Sequence, residues 1–375
     1  MNILLIPDKF KSSLTAEGVI KSISKGIRRV HPDVKIFSVL ASDGGDGFLE
    51  AINKYTPLEK ITMDTLDPLG RKINSYYLWD NKKKTAYIEL AKASGIELLT
   101  NSELDVMQTS TVGTGIQIKH ASDRHAKKIV IGLGGSATND GGTGIADILG
   151  YRFLDSKGND LTPSGSNLSR IAKILINDDS MVRKNVSFIA VNDVTNPLYG
   201  EEGAAYVYAK QKGANSEEIE LLDTGLRNLA SIVQKTMGID IATVRGTGAA
   251  GGTGYGLKAF FNAEFINGID FLFQLAEIPE LLERENIDYI ITGEGKIDLQ
   301  TLHGKLIKGV MDIAKQYQIP VIAICGKSEV DSKVLKNKGL KDVLEIHDPA
   351  KSIQYSMDNA STLIENSIFK YFSSL

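Results

Sequence analysis

Two stretches at opposite ends of the chain share one rhythm of apolar and polar positions. An apolar run, Asn2 to Ile6, is followed by a segment in which Val19, Ile20, Ile23, Ile27 and Val30 recur at helical spacing, and then by a second apolar stretch, Lys35 to Leu40. That is one β-α-β unit. The rhythm returns only near the other end, where Ile287 to Ile291, Pro320 to Ile324 and Val343 to Ile346 alternate with helical patterns, one of them carrying Leu306, Val310, Ala314 and Tyr317. Parallel strands need several neighbours and cover on both faces. Residues 1–60 and 285–375 are therefore expected to form one discontinuous parallel-sheet domain, with residues 61–284 inserted as a second α/β domain.

The insertion opens differently. Ile73 to Trp79 and Thr85 to Leu90 flank the polar turn Asp80 to Lys84 and predict a β-hairpin. Strands are expected at Lys128 to Leu133 and Val186 to Val191, and a helix where Ile219, Leu222, Leu226, Leu229 and Val233 share a face. No period of 20 to 50 residues recurs.

Composition narrows the function classes. The chain has 375 residues, long enough for two or three domains. A net charge of −3 with 24% charged residues points away from nucleic acid and membrane surfaces. The N-terminal apolar stretch is halted at once by Pro7, Asp8 and Lys9, so neither a leader nor a membrane span is expected, and the reading is a cytoplasmic protein. Cys325 is the only cysteine, which excludes an intrachain disulfide and a thiolate-rich metal site. Glycine is unusual at 36 residues, well above the roughly 7% typical of proteins, and it is clustered.

The first cluster follows an expected strand, whereas only the short apolar stretch Ile239 to Val244 precedes the second. After Lys128 to Leu133 comes a run from Gly134 to Gly144 containing Gly134, Gly135, Ser136, Ala137, Thr138 and Asn139, small and hydroxylic residues suited to a phosphate cradle. Gly132, Gly134 and Ala137 also satisfy the dinucleotide pattern, although Asn139 to Gly142 would interrupt the helix that pattern requires. A second cluster runs from Gly246 to Gly256 and includes Gly248, Gly251 and Gly252, as a phosphate or adenine contact or as close helix packing. A Walker A loop is absent: Gly326, Lys327 and Ser328 have Val321 where the first glycine belongs.

Four strand ends carry acids: Asp8 after Ile6, Asp43 with Gly44, Gly45 and Asp46 after Leu40, Asp193 after Val191, and Glu294 and Asp298 after Ile291. Ligands of open α/β sheets bind at the carboxyl ends of the strands. Acids for Mg²⁺ and for a base, with lysines for phosphate charge, are what phosphoryl transfer requires; Lys9, Lys11, Lys212, Lys296 and Lys305 are the candidate lysines. Cys325 reads as a buried structural thiol, and Trp79 as a core or cover residue.

In order along the chain, these loops resemble the type I (bacterial) glycerate kinases. The resemblance rests on the segments starting at Pro7-Asp8-Lys9-Phe10-Lys11, Asp43-Gly44-Gly45-Asp46-Gly47, Pro68-Leu69-Gly70-Arg71, Thr109 to Gly115, Gly134 to Gly144, Asp193 to Leu198, Gln211-Lys212-Gly213-Ala214, Gly248 to Gly252 and Gly293 to Lys305. It implies ATP- and Mg²⁺-dependent phosphorylation of glycerate, 2-phosphoglycerate being favoured over the 3-phosphate, in a permuted flavodoxin-like domain with an inserted second α/β domain. From its place after an apolar strand, Asp193 is expected to be a catalytic or metal-organising acid, with Asp8, Asp43, Glu294 and Asp298 competing for the same roles and Lys11 beside them; substrate binding is assigned to Asp43, Gly44, Gly45, Asn196 and Lys296, with the division of loops between adenine and glycerate left open. Nucleotide binding falls to Gly134 through Asn139 with Gly248, Gly251 and Gly252, and metal binding to Asp193 and Asp298. Lys296 stands where the family has arginine and cannot reproduce its bidentate grip, which keeps another small hydroxy acid open as substrate. A nicotinamide-dependent oxidoreductase and a nucleotide sensor without turnover are the rival readings, and a homodimer is left open.

Overall fold

The computed structural model describes residues 1–10, 13–40, 48–176, 186–298 and 306–375. Among them the strands are β1 Asn2–Pro7, β2 Lys35–Ser38, β3 Glu59–Leu66, β4 Lys72–Asp80, β5 Thr85–Glu89, β6 Lys128–Gly132, β7 Tyr151–Leu154, β8 Lys173–Ile176, β9 Ser187–Val191, β10 Glu264–Ile266, β11 Tyr289–Ile297, β12 Val321–Ser328 and β13 Leu340–Glu345. The chain divides into two compact units, Met1–Asp43 with Ile269–Leu375, and Gly44–Gly268.

In the first unit the order β13-β12-β11-β1-β2 makes a five-stranded sheet, parallel at every pairing. Counted within the unit this is 2-1-3-4-5, the flavodoxin order; the flavodoxin-like layout is present without permutation, the second unit being inserted between β2 and β11. Apolar runs buried on both faces explain why these strands read as continuous hydrophobic segments: Ile3, Leu4, Leu5, Ile6, Ile290, Ile291, Ile322 and Ile324 are all fully buried. The helix Ala16–Arg28 starts at Thr15, whose side chain accepts the Gly18 N–H, and lays Val19, Ile23 and Ile27 into this core with Ile364 and Ile368 of the helix Ala360–Ser373.

The second unit is built on a six-stranded mixed sheet, β10-β9-β6-β5-β4-β3, antiparallel where β4 meets β3 and β5 and parallel elsewhere, with β7 and β8 as a separate antiparallel pair. The hairpin expected around Asp80 to Lys84 is β4–β5, and Asp80 Oδ1 accepts the Lys82 and Lys83 N–H groups to form its turn. Trp79 is in the core of this unit. The unit boundaries differ from the 60/61 and 284/285 positions expected from the sequence. The helix Phe48–Tyr55 belongs with the insertion, because the Leu49 N–H is held by Glu89 Oε2 at 3.1 Å, and Glu59–Leu66 pairs along its full length with β4. The segment from Ile269 belongs to the first unit. No helix among the described residues is long and apolar enough to cross a membrane.

Candidate functional site

The parallel sheet of the first unit ends unevenly, and that unevenness makes a pocket. β1 stops at Pro7 opposite Gly293, and β13 stops at Glu345 opposite Cys325, whereas β11 and β12 continue together to the pair Ile297 and Ser328. Glu294, read from the sequence as lying in a loop, is thus inside a strand: its Gly-rich surroundings imitate a turn, but pairing with β12 keeps the segment extended. Gly293 is required by that pairing, since a β-carbon there would lie 2.1 Å from the Ile324 carbonyl oxygen. The protruding pair walls a pocket of about 560 Å³ at the carboxyl ends of the strands, on the β1/β11 switch point where such sheets bind ligands.

Three of the expected carboxylates, Asp8, Glu294 and Asp298, line this pocket with Lys9, Lys296 and Lys327. Asp8 is fixed at the end of β1, its N–H donating to the Gly293 carbonyl at 2.8 Å and its Oδ1 accepting the Lys9 N–H at 2.7 Å. Lys296 Nζ lies 2.8 Å from Glu329 Oε1, and that carboxylate strengthens the ammonium's hold on its proton. The apolar part of the lining comes from Phe10, Ile346, Ile353 and Met357. His347 Nδ1 and Ser356 Oγ are 2.9 Å apart, and Ser13 Oγ donates to the Met357 carbonyl at 2.7 Å, so the helix Ile353–Asp358 is tied down on both sides. Cys325 is buried beneath, where burial pushes its thiol up to about 12, as expected of an inert structural residue.

Mg²⁺ takes oxygen ligands and keeps several waters, so one or two carboxylates beside phosphates suffice to hold it. The carboxylates of this pocket fit that chemistry, although among the described residues no group of three or more acids, histidines or cysteines is placed to cage a metal by itself.

In the second unit the two glycine runs meet each other. Gly251 sits at φ +64°, and a β-carbon on it would come within 1.9 Å of the Thr138 carbonyl oxygen; Gly141 N–H donates to the Gly251 carbonyl at 3.1 Å. Ala250, Gly251 and Gly252 all take left-handed conformations, which interrupts the helix Ala249–Phe261 at its start. Gly248, Gly251, Gly252, Ala137, Thr138 and Asn139 are buried, leaving Gly134 and Gly135 as the half-buried residues of the expected cradle. The second run packs backbone against backbone on the first. Asp140, fully buried, organises the first run. Its Oδ2 accepts the Thr111 N–H and hydroxyl at 2.8 Å and the Gly144 N–H at 3.2 Å, while Oδ1 takes the Gly142 N–H, and burial raises its carboxyl pKa against the pull of those donors. The pattern signal for it was the Asp140-Gly141-Gly142 turn just before the helix Thr143–Ile148.

Lys212, one of the five candidate lysines, is buried under the same run. Its ammonium donates to Ser136 Oγ and to the Thr138 carbonyl, both at 2.8 Å, and burial pushes its pKa down to about 7, with Asp140 opposing. At the end of β9, Asp193 is exposed and its Oδ1 accepts the Gly268 N–H at 2.7 Å. The Asn196 amide is engaged within its own loop, donating to the Glu202 carbonyl at 2.7 Å and accepting the Tyr208 hydroxyl at 2.6 Å. Of the other expected residues, Lys11, Asp43, Gly44, Gly45, Asp46 and Lys305 lie outside the described residues. Sequence reasoning missed the apolar wall: Ile353 and Met357 sit at helical spacing after the cap Ser352, too short a segment for periodicity to flag.

Comparison with known proteins agrees with this architecture. The model of the glycerate kinase family matches residues 3–373. A glycerate kinase of Halalkalibacterium halodurans is 37% identical over 97% of this chain and 95% of its own length. The glycerate 2-kinase of Escherichia coli is 38% identical over 92% of this chain and 90% of its own. The crystal structure of a protein described as glycerate kinase 2 from Salmonella typhimurium LT2 covers 100% of this chain and 98% of its own, with a TM-score of 0.82 and 36% identity. A match that runs through both units and every described strand has one meaning: the chain belongs to the glycerate kinase family.

Proposed function

We propose that the protein transfers the γ-phosphoryl group of ATP to the 2-hydroxyl of D-glycerate, releasing ADP and 2-phosphoglycerate. The observation that carries this reading is the pocket at the β1/β11 switch point, where Asp8, Glu294 and Asp298 face the same space as Lys9, Lys296 and Lys327. Phosphoryl transfer needs that combination: cations to neutralise the non-bridging oxygens and carboxylates to hold Mg²⁺ or take a proton. The name of the Escherichia coli relative, a glycerate 2-kinase, supports the 2-position.

The hydroxyl oxygen of glycerate forms the new bond to the γ-phosphorus as the bond from that phosphorus to the β–γ bridging oxygen breaks, and the electron pair leaves on ADP. The hydroxyl proton passes to a carboxylate, a role we assign to Asp193, exposed at the end of β9. Bound Mg²⁺ would be held by pocket carboxylates, Asp298 among them, and would offset charge on the phosphates. Lys9, Lys296 and Lys327 provide the positive charge on the protein side, joined in this reading by Lys11. Gly134, Gly135 and Ser136 supply N–H and hydroxyl donors for an anion, and Asp43, Gly44 and Gly45 are assigned to substrate.

A coupled assay of ADP release with and without D-glycerate tests the reading. Release that depends on D-glycerate supports it. Release stimulated only by a different hydroxy acid refutes the substrate, and nicotinamide reduction with glycerate would replace the reaction class.

A further inference from the structure

Resting on the kinase reading, we infer that the first-unit pocket is the site of the nucleoside of ATP rather than of glycerate. Size is the first argument. A three-carbon acid occupies a small fraction of about 560 Å³, whereas pockets of roughly 300 to 1,000 Å³ serve ligands of nucleotide size.

Chemistry is the second. Glycerate exposes a carboxylate and hydroxyls on all sides and would leave the wall of Phe10, Ile346, Ile353 and Met357 against water or against charge. A purine is a flat apolar plate with polar edges and matches that wall. Ile353 is 58% exposed at the pocket edge, and a ring laid on it would remove that surface from water.

Polarity is the third. The apolar wall comes from the segment after β1, the end of β13 and the helix Ile353–Asp358, while the lysines and acids cluster on the β1 end and on the β11–β12 extension. A nucleotide has the same division, with an apolar base at one end and a charged, metal-binding phosphate chain at the other. Asp8, Glu294 and Lys296 thereby serve the phosphates, and the Lys296–Glu329 pair opens when the phosphate chain arrives.

The test uses the whole protein and three probes: MgADP, inorganic tripolyphosphate with Mg²⁺, and D-glycerate in the coupled assay. Ile353→Glu places a carboxylate where the ring would lie, and the site's exposure protects the fold, which a far-ultraviolet circular dichroism melt verifies. The expected result is MgADP binding weakened about tenfold or more, equivalent to about 1.4 kcal/mol, with tripolyphosphate affinity and the KM for D-glycerate both within about twofold of the parent. Ile353→Phe, which offers a ring a flat partner, should keep MgADP affinity at or above the parent's. Unchanged MgADP affinity in Ile353→Glu, or a raised KM for D-glycerate with unchanged MgADP affinity, overturns the inference. Parent protein that binds MgADP in an Ile353-dependent way yet does not turn over D-glycerate would refute the kinase reading and leave the nucleoside site standing.

Discussion

Lys212 donates to Ser136 across 76 positions of sequence, at 2.8 Å, with only 3% of the lysine exposed. An ordinary lysine titrates near 10.4, and burial brings this one to about 7. Between those values the unfolded chain carries a proton that the native protein has released, so stability rises with pH across that window. Below pH 7 both states carry the charge and the cost of burying it is fully expressed. Asp140, whose carboxyl is pushed up by burial, acts in the opposite sense, its folded form keeping a proton above the pH at which the unfolded chain loses it. The single tryptophan, Trp79, sits in the core of the same unit and reports its unfolding. Denaturation followed by its fluorescence should show stability increasing from pH 7 to pH 9 by up to a few kcal/mol, about 1.4 kcal/mol for each tenfold change in proton affinity, and Lys212→Met should flatten the increase. A parent profile that falls over the same range would contradict the assignment.

Gly251→Ala tests the packing of the two glycine runs. The added carbon would collide with the Thr138 carbonyl in a left-handed backbone that alanine disfavours, and neither side can retreat. A loss of about 3 kcal/mol or more is expected, seen as aggregation on expression or a large drop in the denaturation midpoint at Trp79. A variant as stable as the parent would show that the runs separate easily.

Asp193→Asn keeps an acceptor for the Gly268 N–H while removing the charge. The melt should be close to that of the parent, and kcat should fall roughly 10²-fold or more if this carboxylate takes the hydroxyl proton. Partial recovery at high Mg²⁺ would move its role to the metal. Unchanged kcat and KM would shift the base to Asp8 or Glu294.

Glu329→Gln releases Lys296 from its partner. Both side chains are about half exposed, so the melt should stay close to that of the parent. The KM for MgATP should fall, because the ammonium no longer exchanges one anion for another, and the effect should shrink in high salt. A raised KM would mean that Glu329 itself holds ligand or metal.

Much of the first unit was legible because a parallel sheet buries its strands on both faces, and runs such as Ile3 to Ile6 and Ile322 to Ile324 announce that directly. The acids at strand ends were legible for the same reason, since strands stop where polar residues and glycines begin. Glu294 was misplaced because strand β11 outlasts its apolar run, and only its pairing with β12 extends it through Gly295 and Lys296. β3 escaped notice because Glu59 to Leu66 mixes charges with apolar residues, half of an edge strand facing water. Lys212 carries no local sign of burial; lysines read as surface residues, and its contacts to Ser136 and Thr138 are tertiary.

The central claim is the transfer of phosphoryl from ATP to the 2-hydroxyl of D-glycerate, and product identification by phosphorus–proton correlated NMR tests it most directly. With MgATP and D-glycerate, the account predicts that ADP and one new phosphomonoester appear in equal amounts, the ester phosphorus coupling to the single proton on C2. A phosphorus coupled to the two protons of C3 would contradict the assigned hydroxyl, and ADP formed with inorganic phosphate and no ester would contradict the kinase itself.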